Sequence, residues 1–299
     1  MRPIELSTKI FLDGGDQHET EEVLNLLGFL DGQTTNPSLI SKNPEAQERL
    51  AKGDKFSKTE IYDFYKKVVE DISQVIPQGS ISIEVYADKK TKAAQMIKQA
   101  EEMNQWIPNP FIKLPCTLEG LKAAEKLCKK MRINMTLCFS QEQAAAVYAA
   151  TKNAEYEIYV SPFIGRLDDK NIDGIDLIID IQRMYAHSDH HVKVLAASIR
   201  DISHLLYIFF LKTDITTVPF EILKQWQEEG MKIPGVELDP KIFADKADYF
   251  QRLHEHTLTA INYKELDLNL SWTKFNIESE LTDAGINKFS KDWNNLIKS

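Results

Sequence analysis

The chain has 299 residues, enough to bury the core of one barrel-sized domain or of two small ones. Its residues are 43% hydrophobic and 27% charged, with 36 Lys+Arg against 45 Asp+Glu and a formal net charge of -9. That acidic balance, with no basic stripe, speaks against nucleic acid or an anionic membrane as a partner, so an anionic ligand must be gripped by a few local cations.

From the start of the chain, residues 1–10 carry Arg2 and Lys9 but no apolar run, so no signal peptide is expected there. Eight short apolar runs then predict strands at 9–13, 32–36, 80–86, 110–115, 133–139, 157–163, 191–198 and 213–218. Amphipathic stretches separate them. Residues 92–103 place Ala93, Met96, Ile97 and Ala100 at helical spacing, and 118–131 repeat the pattern with Leu121, Ala124, Leu127 and Cys128. Thr117 and Ser140 stand where helix N-caps belong. The crossover 37–79 is long enough for two helices. After one more helix at 220–229, the segment 230–299 reads as turns and two or three helices, including 240–252 and 278–299. The longest apolar stretch, 205–211, is far too short to span a bilayer. Cys116, Cys128 and Cys138 form no CxxC pair, which fits a reducing compartment, so a cytoplasmic protein is expected.

Strands alternating with helices imply a parallel sheet, and eight units fit a (β/α)8 TIM barrel. The alternative is an open doubly wound sheet, which usually carries a glycine-rich phosphate loop after its first strand. Here that strand ends in Asp13-Gly14-Gly15-Asp16, which is no such loop. The expected organisation is a single barrel domain over 1–299, with 230–299 a helical C-terminal extension packed on it.

Side-chain parity marks a candidate site. Alternate strand residues share a face, and strands buried on both faces should be almost wholly apolar. The exceptions here share one parity within each strand: Thr34 with Asn36, Ser82 with Glu84 and Tyr86, Asn134 with Thr136 and Cys138, Ser198 with Arg200. Lys113 opposes Ile112 and Leu114, and Asp13 ends the first strand. These residues crowd the C-terminal strand halves, where barrel active sites form. Each has a bland reading: Lys113 can snorkel, Glu84 can be a structural ion-pair partner, Asn134 and Thr136 can be satisfied core groups, and Asp13 can cap a helix. Their convergence favours chemistry, because such groups are rarely buried without a partner or a purpose.

The set suits a Schiff base. A lysine must be neutral to attack a carbonyl, and apolar surroundings disfavour an ammonium. Asp13 and Glu84 are the candidate proton carriers and Thr136 a candidate holder of a water. Asn134 and Ser161 suit substrate hydroxyls, while Arg166, Arg200 and Ser198 suit a phosphate. A metal site from His187, Asp189, His190 and His191 is the weaker reading, because these lie before the seventh strand and no second cluster completes a ligand set.

The motifs 34–40 (TTNPSLI), 112–120 (IKLPCTLEG), 134–137 (NMTL), 161–166 (SPFIGR) and 197–200 (ASIR) resemble, in order and spacing, those of the transaldolases. The resemblance covers roughly residues 9–230 and is weakest in the C-terminal region. It implies Lys113 as the Schiff-base lysine, Asp13 as acid/base, and Glu84 with Thr136 flanking a catalytic water. It implies Thr34, Asn36, Asn134, Ser161 and Phe163 at the substrate, and Arg166, Ser198 and Arg200 at its phosphate. It further implies no cofactor and no metal, a homodimer as the expected assembly, and transfer of a dihydroxyacetone unit from a ketose phosphate (sedoheptulose 7-phosphate or fructose 6-phosphate) to an aldose phosphate (glyceraldehyde 3-phosphate or erythrose 4-phosphate). Gly14 stands where a threonine is common, and Pro115-Cys116 replaces smaller residues, which bears on substrate preference. The nearest rival is a fructose 6-phosphate aldolase, which usually has Gln in place of Glu84 and Tyr in place of Phe163; a non-catalytic sugar-phosphate sensor is a rival of another class.

Overall fold

The computed structural model describes residues 2–234 and 258–298. Eight parallel strands close into a barrel in sequence order. They are β1 (Lys9–Asp13), β2 (Gly32–Thr34), β3 (Ser80–Glu84), β4 (Pro110–Pro115), β5 (Ile133–Cys138), β6 (Ile158–Pro162), β7 (Val192–Ala196) and β8 (Ile215–Val218). β1 pairs with β8 through Lys9↔Ile215 to Leu12↔Val218, which closes the ring. This excludes the open doubly wound sheet.

The crossovers hold α1 (Gln17–Leu27), α2 (Pro37–Lys42), α3 (Pro44–Ala51), α4 (Lys58–Val75), α5 (Ala93–Met103), α6 (Leu118–Leu127), α7 (Gln141–Ala150), α8 (Ile164–Asp168), α9 (Gly174–Tyr185), α10 (Ile202–Phe210) and α11 (Phe220–Glu228). The second crossover therefore carries three helices where the sequence pattern suggested two. Asn43 ends α2 and its side chain accepts from Glu45 N–H at the start of α3, so a single residue separates these two helices. The expected caps are present: Thr117 accepts from Gly120 N–H and Ser140 from Gln143 N–H. Asp13 caps no helix; Asp16 caps α1 instead.

The C-terminal helix α12 (Glu280–Asn295) matches the helix expected at 278–299, and the helix expected at 240–252 lies outside the described residues. α12 lies across the C-terminal end of the barrel. Thr282 Oγ1 donates to the carbonyl of Leu137 at 2.9 Å and accepts from Gln143 Nε2 at 2.8 Å. At its other end Ser38 Oγ donates to Asp292, and Phe56 exchanges backbone bonds with Leu296 and Lys298. No helix among the described residues is long and apolar enough to cross a membrane.

Strand parity holds inside the barrel. Phe11, Phe111 and Tyr159 fill its lower half, with the Phe111 and Tyr159 rings stacked at 4.2 Å. Gly32, the register partner of Phe11, leaves the room this ring needs: a Cβ there would stand 2.8 Å from the ring and 2.4 Å from the Ser80 carbonyl. Above this apolar floor the same parity delivers Ser82, Glu84, Lys113, Asn134 and Ser161, all buried.

Candidate active site

Polar residues from all eight strands or strand ends meet at the C-terminal mouth. Lys113 is 3% exposed and Glu84 4%; they face each other on adjacent strands, with Nζ 3.1 Å from Oε2. Lys113 also donates to the carbonyl of Thr35 at 3.2 Å. That carbonyl is braced from behind. Thr35 Oγ1 donates to the Ser82 carbonyl at 2.7 Å and shares a 2.5 Å hydrogen bond with Tyr65, whose hydroxyl accepts from Glu84 N–H at 2.9 Å. Tyr65 thus fixes the peptides on both sides of the amine. It escapes a reading of the sequence because it lies in α4, where it looks like an ordinary core aromatic.

Asp13 opens onto the cavity from the end of β1. Thr34 Oγ1 donates to Asp13 Oδ1 at 2.9 Å and shares a 2.6 Å bond with Thr217 Oγ1. A hydroxyl has one proton, so with Asp13 ionised the direction is fixed: Thr217 donates to Thr34, and Thr34 to Asp13. Burial pushes the Asp13 carboxyl above the ordinary aspartate range, against the opposing pull of Lys113 and the Thr34 hydroxyl. Burial likewise raises Glu84, against the pull of Lys113.

Asn134 lies beneath the cavity floor. Its Oδ1 accepts from Ser161 Oγ at 2.6 Å and its Nδ2 donates to Ser82 Oγ at 3.0 Å. Ser161 lines the cavity, and Asn134 holds it there. The Thr136 hydroxyl is fully buried with no hydrogen-bond partner among the described residues. An orphaned buried hydroxyl is uncommon and marks a place where a further polar group is received.

Three site residues expected within strands, Asn36, Phe163 and Ser198, sit beyond them. β2 stops at Thr34, and Asn36 is the N-cap of α2, accepting from Leu39 N–H at 3.0 Å while still lining the cavity. β7 stops at Ala196, so Ser198 and Arg200 share no strand face. Ser198 instead turns the chain with φ 64°, a left-handed conformation costly for a side-chain-bearing residue. Its carbonyl accepts from Gly165 N–H at 3.1 Å, which ties this loop to the start of α8. Arg200 is half-exposed and bound to Asp169 at 2.5 Å. Phe163 follows β6 as the N-cap residue of α8, and its ring packs edge-on against Phe139. Burial and the neighbouring Arg200 hold Arg166 below the ordinary arginine value, but a guanidinium remains charged.

The cavity, of about 190 Å³, is lined by Asp13, Thr34, Asn36, Lys113, Ser161, Phe163, Arg166, Ser198 and Arg200 among the expected residues. Glu84, Thr136 and Asn134 stand behind this wall. The lining also includes Lys42 and Thr217, together with Lys288 and Phe289 from α12. The histidine cluster lies elsewhere: His191 pairs with Asp189 at 2.6 Å and packs on Tyr148.

The cavity thus joins a buried lysine ion-paired to a buried carboxylate with a second acid and two arginines. The sequence model described as Transaldolase/Fructose-6-phosphate aldolase matches residues 10–299. The chain belongs to this family. Among relatives of the transaldolase/fructose-6-phosphate aldolase family, a probable transaldolase of Dehalococcoides mccartyi is 38% identical over 229 residues, which is 76% of this chain and 94% of that protein. A probable transaldolase of Brucella melitensis is 38% identical over 230 residues, 77% of this chain and 93% of that protein. One of Paracoccus denitrificans is 36% identical over 230 residues, with the same coverage. This member of the family is longer than those relatives.

Proposed function

We propose that the protein is a transaldolase that moves a dihydroxyacetone unit between sugar phosphates through a Schiff base on Lys113. The observation that carries this reading is the placement of the Lys113 amine: buried, facing the cavity, and in contact with a carboxylate able to accept its proton.

In this reading the neutral amine attacks the C2 carbonyl of a ketose phosphate. The carbinolamine takes up a proton, loses water and becomes a protonated imine. Glu84 relays these protons, and the unpartnered Thr136 hydroxyl holds the departing water. Asp13 then removes the proton from the C4 hydroxyl. The C3–C4 bond breaks, its electrons pass into the imine, and an aldose phosphate leaves. The three-carbon enamine stays bound to Lys113. An incoming aldose phosphate is attacked at its aldehyde carbon, a new C–C bond forms, and Asp13 returns its proton to the nascent hydroxyl. Water hydrolyses the imine and frees the ketose phosphate. Arg166, Arg200 and Ser198 hold the phosphate of the ketose, release it with the departing aldose phosphate and take up that of the acceptor, while Asn36 and Ser161 bind hydroxyls. No cofactor or metal enters this cycle, and a homodimer in the cytoplasm is the proposed state. Residues 1–299 are proposed to form one domain, with 230–299 its extension.

The second reading is an aldolase that releases free dihydroxyacetone. Phe163 argues for transfer, because a ring without a hydroxyl offers the enamine no proton. The test is borohydride treatment with fructose 6-phosphate, with and without erythrose 4-phosphate. A stable adduct on Lys113 and sedoheptulose 7-phosphate formed only with acceptor are expected; absence of the adduct would overturn the mechanism.

A further inference from the structure

The Arg166 guanidinium is held by rings. The Phe163 ring centre lies 5.1 Å from its Cζ and the Phe289 ring centre 5.4 Å, both within cation–π range. Phe163 comes from the junction of β6 and α8 and Phe289 from α12, elements joined only through the tertiary fold. One turn before Phe289, Gly285 faces the same group: a Cβ there would stand 2.9 Å from Arg166 Nη1 and 2.6 Å from Leu137 Cδ2. A methyl group at this point displaces either the guanidinium or the Leu137 side chain of β5. Arg200, by contrast, is bound to Asp169. Rings leave a guanidinium's N–H donors unspent, whereas a carboxylate consumes them.

α12 is itself anchored at both ends, by Thr282 on the Leu137 carbonyl and by Asp292 on Ser38. These anchors fix where Phe289 and Gly285 stand over the barrel mouth. We infer that α12 is a positioning element for the substrate's phosphate: Phe289 and Gly285 set the Arg166 guanidinium so that its donors point into the cavity. This rests on the proposed role of Arg166 as a phosphate ligand. Both residues face the Arg166 guanidinium and neither carries a group that can exchange a proton, so they act through binding and not through chemistry.

The experiment compares kinetics on fructose 6-phosphate and on unphosphorylated fructose in the full-length protein. Phe289→Leu keeps an apolar side chain and removes the ring. Gly285→Ala adds one methyl. Each is expected to raise KM for fructose 6-phosphate roughly ten-fold. For both variants kcat should stay within about two-fold, and kcat/KM should fall much less on fructose than on fructose 6-phosphate. Phe289→Tyr keeps the ring and should stay near the wild-type KM. In an Arg166→Ala background, Phe289→Leu should add nothing further. Equal losses on both sugars, or full additivity with Arg166→Ala, would overturn the positioning role. If Arg166→Ala itself shows no phosphate-selective loss, the phosphate assignment falls and the inference with it. If Arg166→Ala is selective and the α12 variants are not, only the inference falls.

Discussion

Lys113 Nζ and Glu84 Oε2 stand 3.1 Å apart on adjacent strands, both side chains sealed from solvent. Under the proposed mechanism this carboxylate is the group that takes the proton of the attacking amine. Lys113→Met is expected to abolish turnover and borohydride trapping while the far-ultraviolet circular dichroism spectrum is retained. Glu84→Gln should lower kcat by about 10²–10⁴-fold, the usual worth of a positioned acid/base. Single-turnover trapping should show the loss in imine formation; unaltered trapping rates would remove Glu84 from that step.

The acid limb of the pH profile should report Asp13. Its carboxyl is held above the ordinary aspartate value, so as pH falls it takes up a proton before an exposed aspartate does. Loss of kcat/KM with acidification is therefore expected at a higher pH than an exposed aspartate would give. A raised folded-state value contributes stability only where the group is protonated, and this is lost as pH rises through that value. At neutral pH the ionised Asp13 is thus a cost. Asp13→Asn should be nearly inactive yet melt higher than wild type at pH 7–8, with the gap narrowing on acidification. An unchanged or lowered melting temperature at neutral pH would contradict the burial argument.

Arg200 is held by Asp169 at 2.5 Å, so a phosphate must compete with a carboxylate for it. Arg200→Ala should raise KM for phosphorylated substrates about 10–100-fold, the worth of hydrogen bonds to a charged group, with little change on unphosphorylated ones. Asp169→Asn should lower the same KM. Steady-state kinetics with the paired substrates tests both.

Phe163 lines the cavity beside Arg166. Phe163→Tyr places a hydroxyl where none stands and should raise release of free dihydroxyacetone from fructose 6-phosphate without an acceptor. An enzymatic assay for dihydroxyacetone decides this; no rise would show that the ring's lack of a hydroxyl does not govern transfer over release.

Gly32→Ala tests the barrel floor. The added Cβ would meet the Ser80 carbonyl at 2.4 Å and the Phe11 ring at 2.8 Å. Overpacking of this kind costs about 1–3 kcal/mol. Urea unfolding should show that loss, with the active-site residues untouched.

The strand interiors could be read from the sequence because a two-residue period forces polar and apolar side chains to opposite faces. Lys113, Glu84, Thr136 and Asn134 followed from that alone. Asn36 and Ser198 were legible as motif residues but not in conformation, since one caps a helix and the other turns the chain at positive φ. Their shapes depend on hydrogen bonds to Leu39 and Gly165 that no periodicity encodes. Lys42, Thr217, Lys288 and Phe289 were not anticipated. The two from α12 reach the cavity through a helix packed far along the chain, where local pattern reports only an amphipathic face. Tyr65 was hidden for a similar reason: its hydroxyl acts on peptides of two strands, while its ring reads as core.

Pairing of β1 with β8 reaches beyond geometry. Each of the eight strands has a neighbour on both sides, so none offers an open row of amides and carbonyls to another chain. Crowding many copies together should then favour contacts through helices and loops over strand addition, and the native ring is guarded against growing into fibres by the same closure that encircles Lys113.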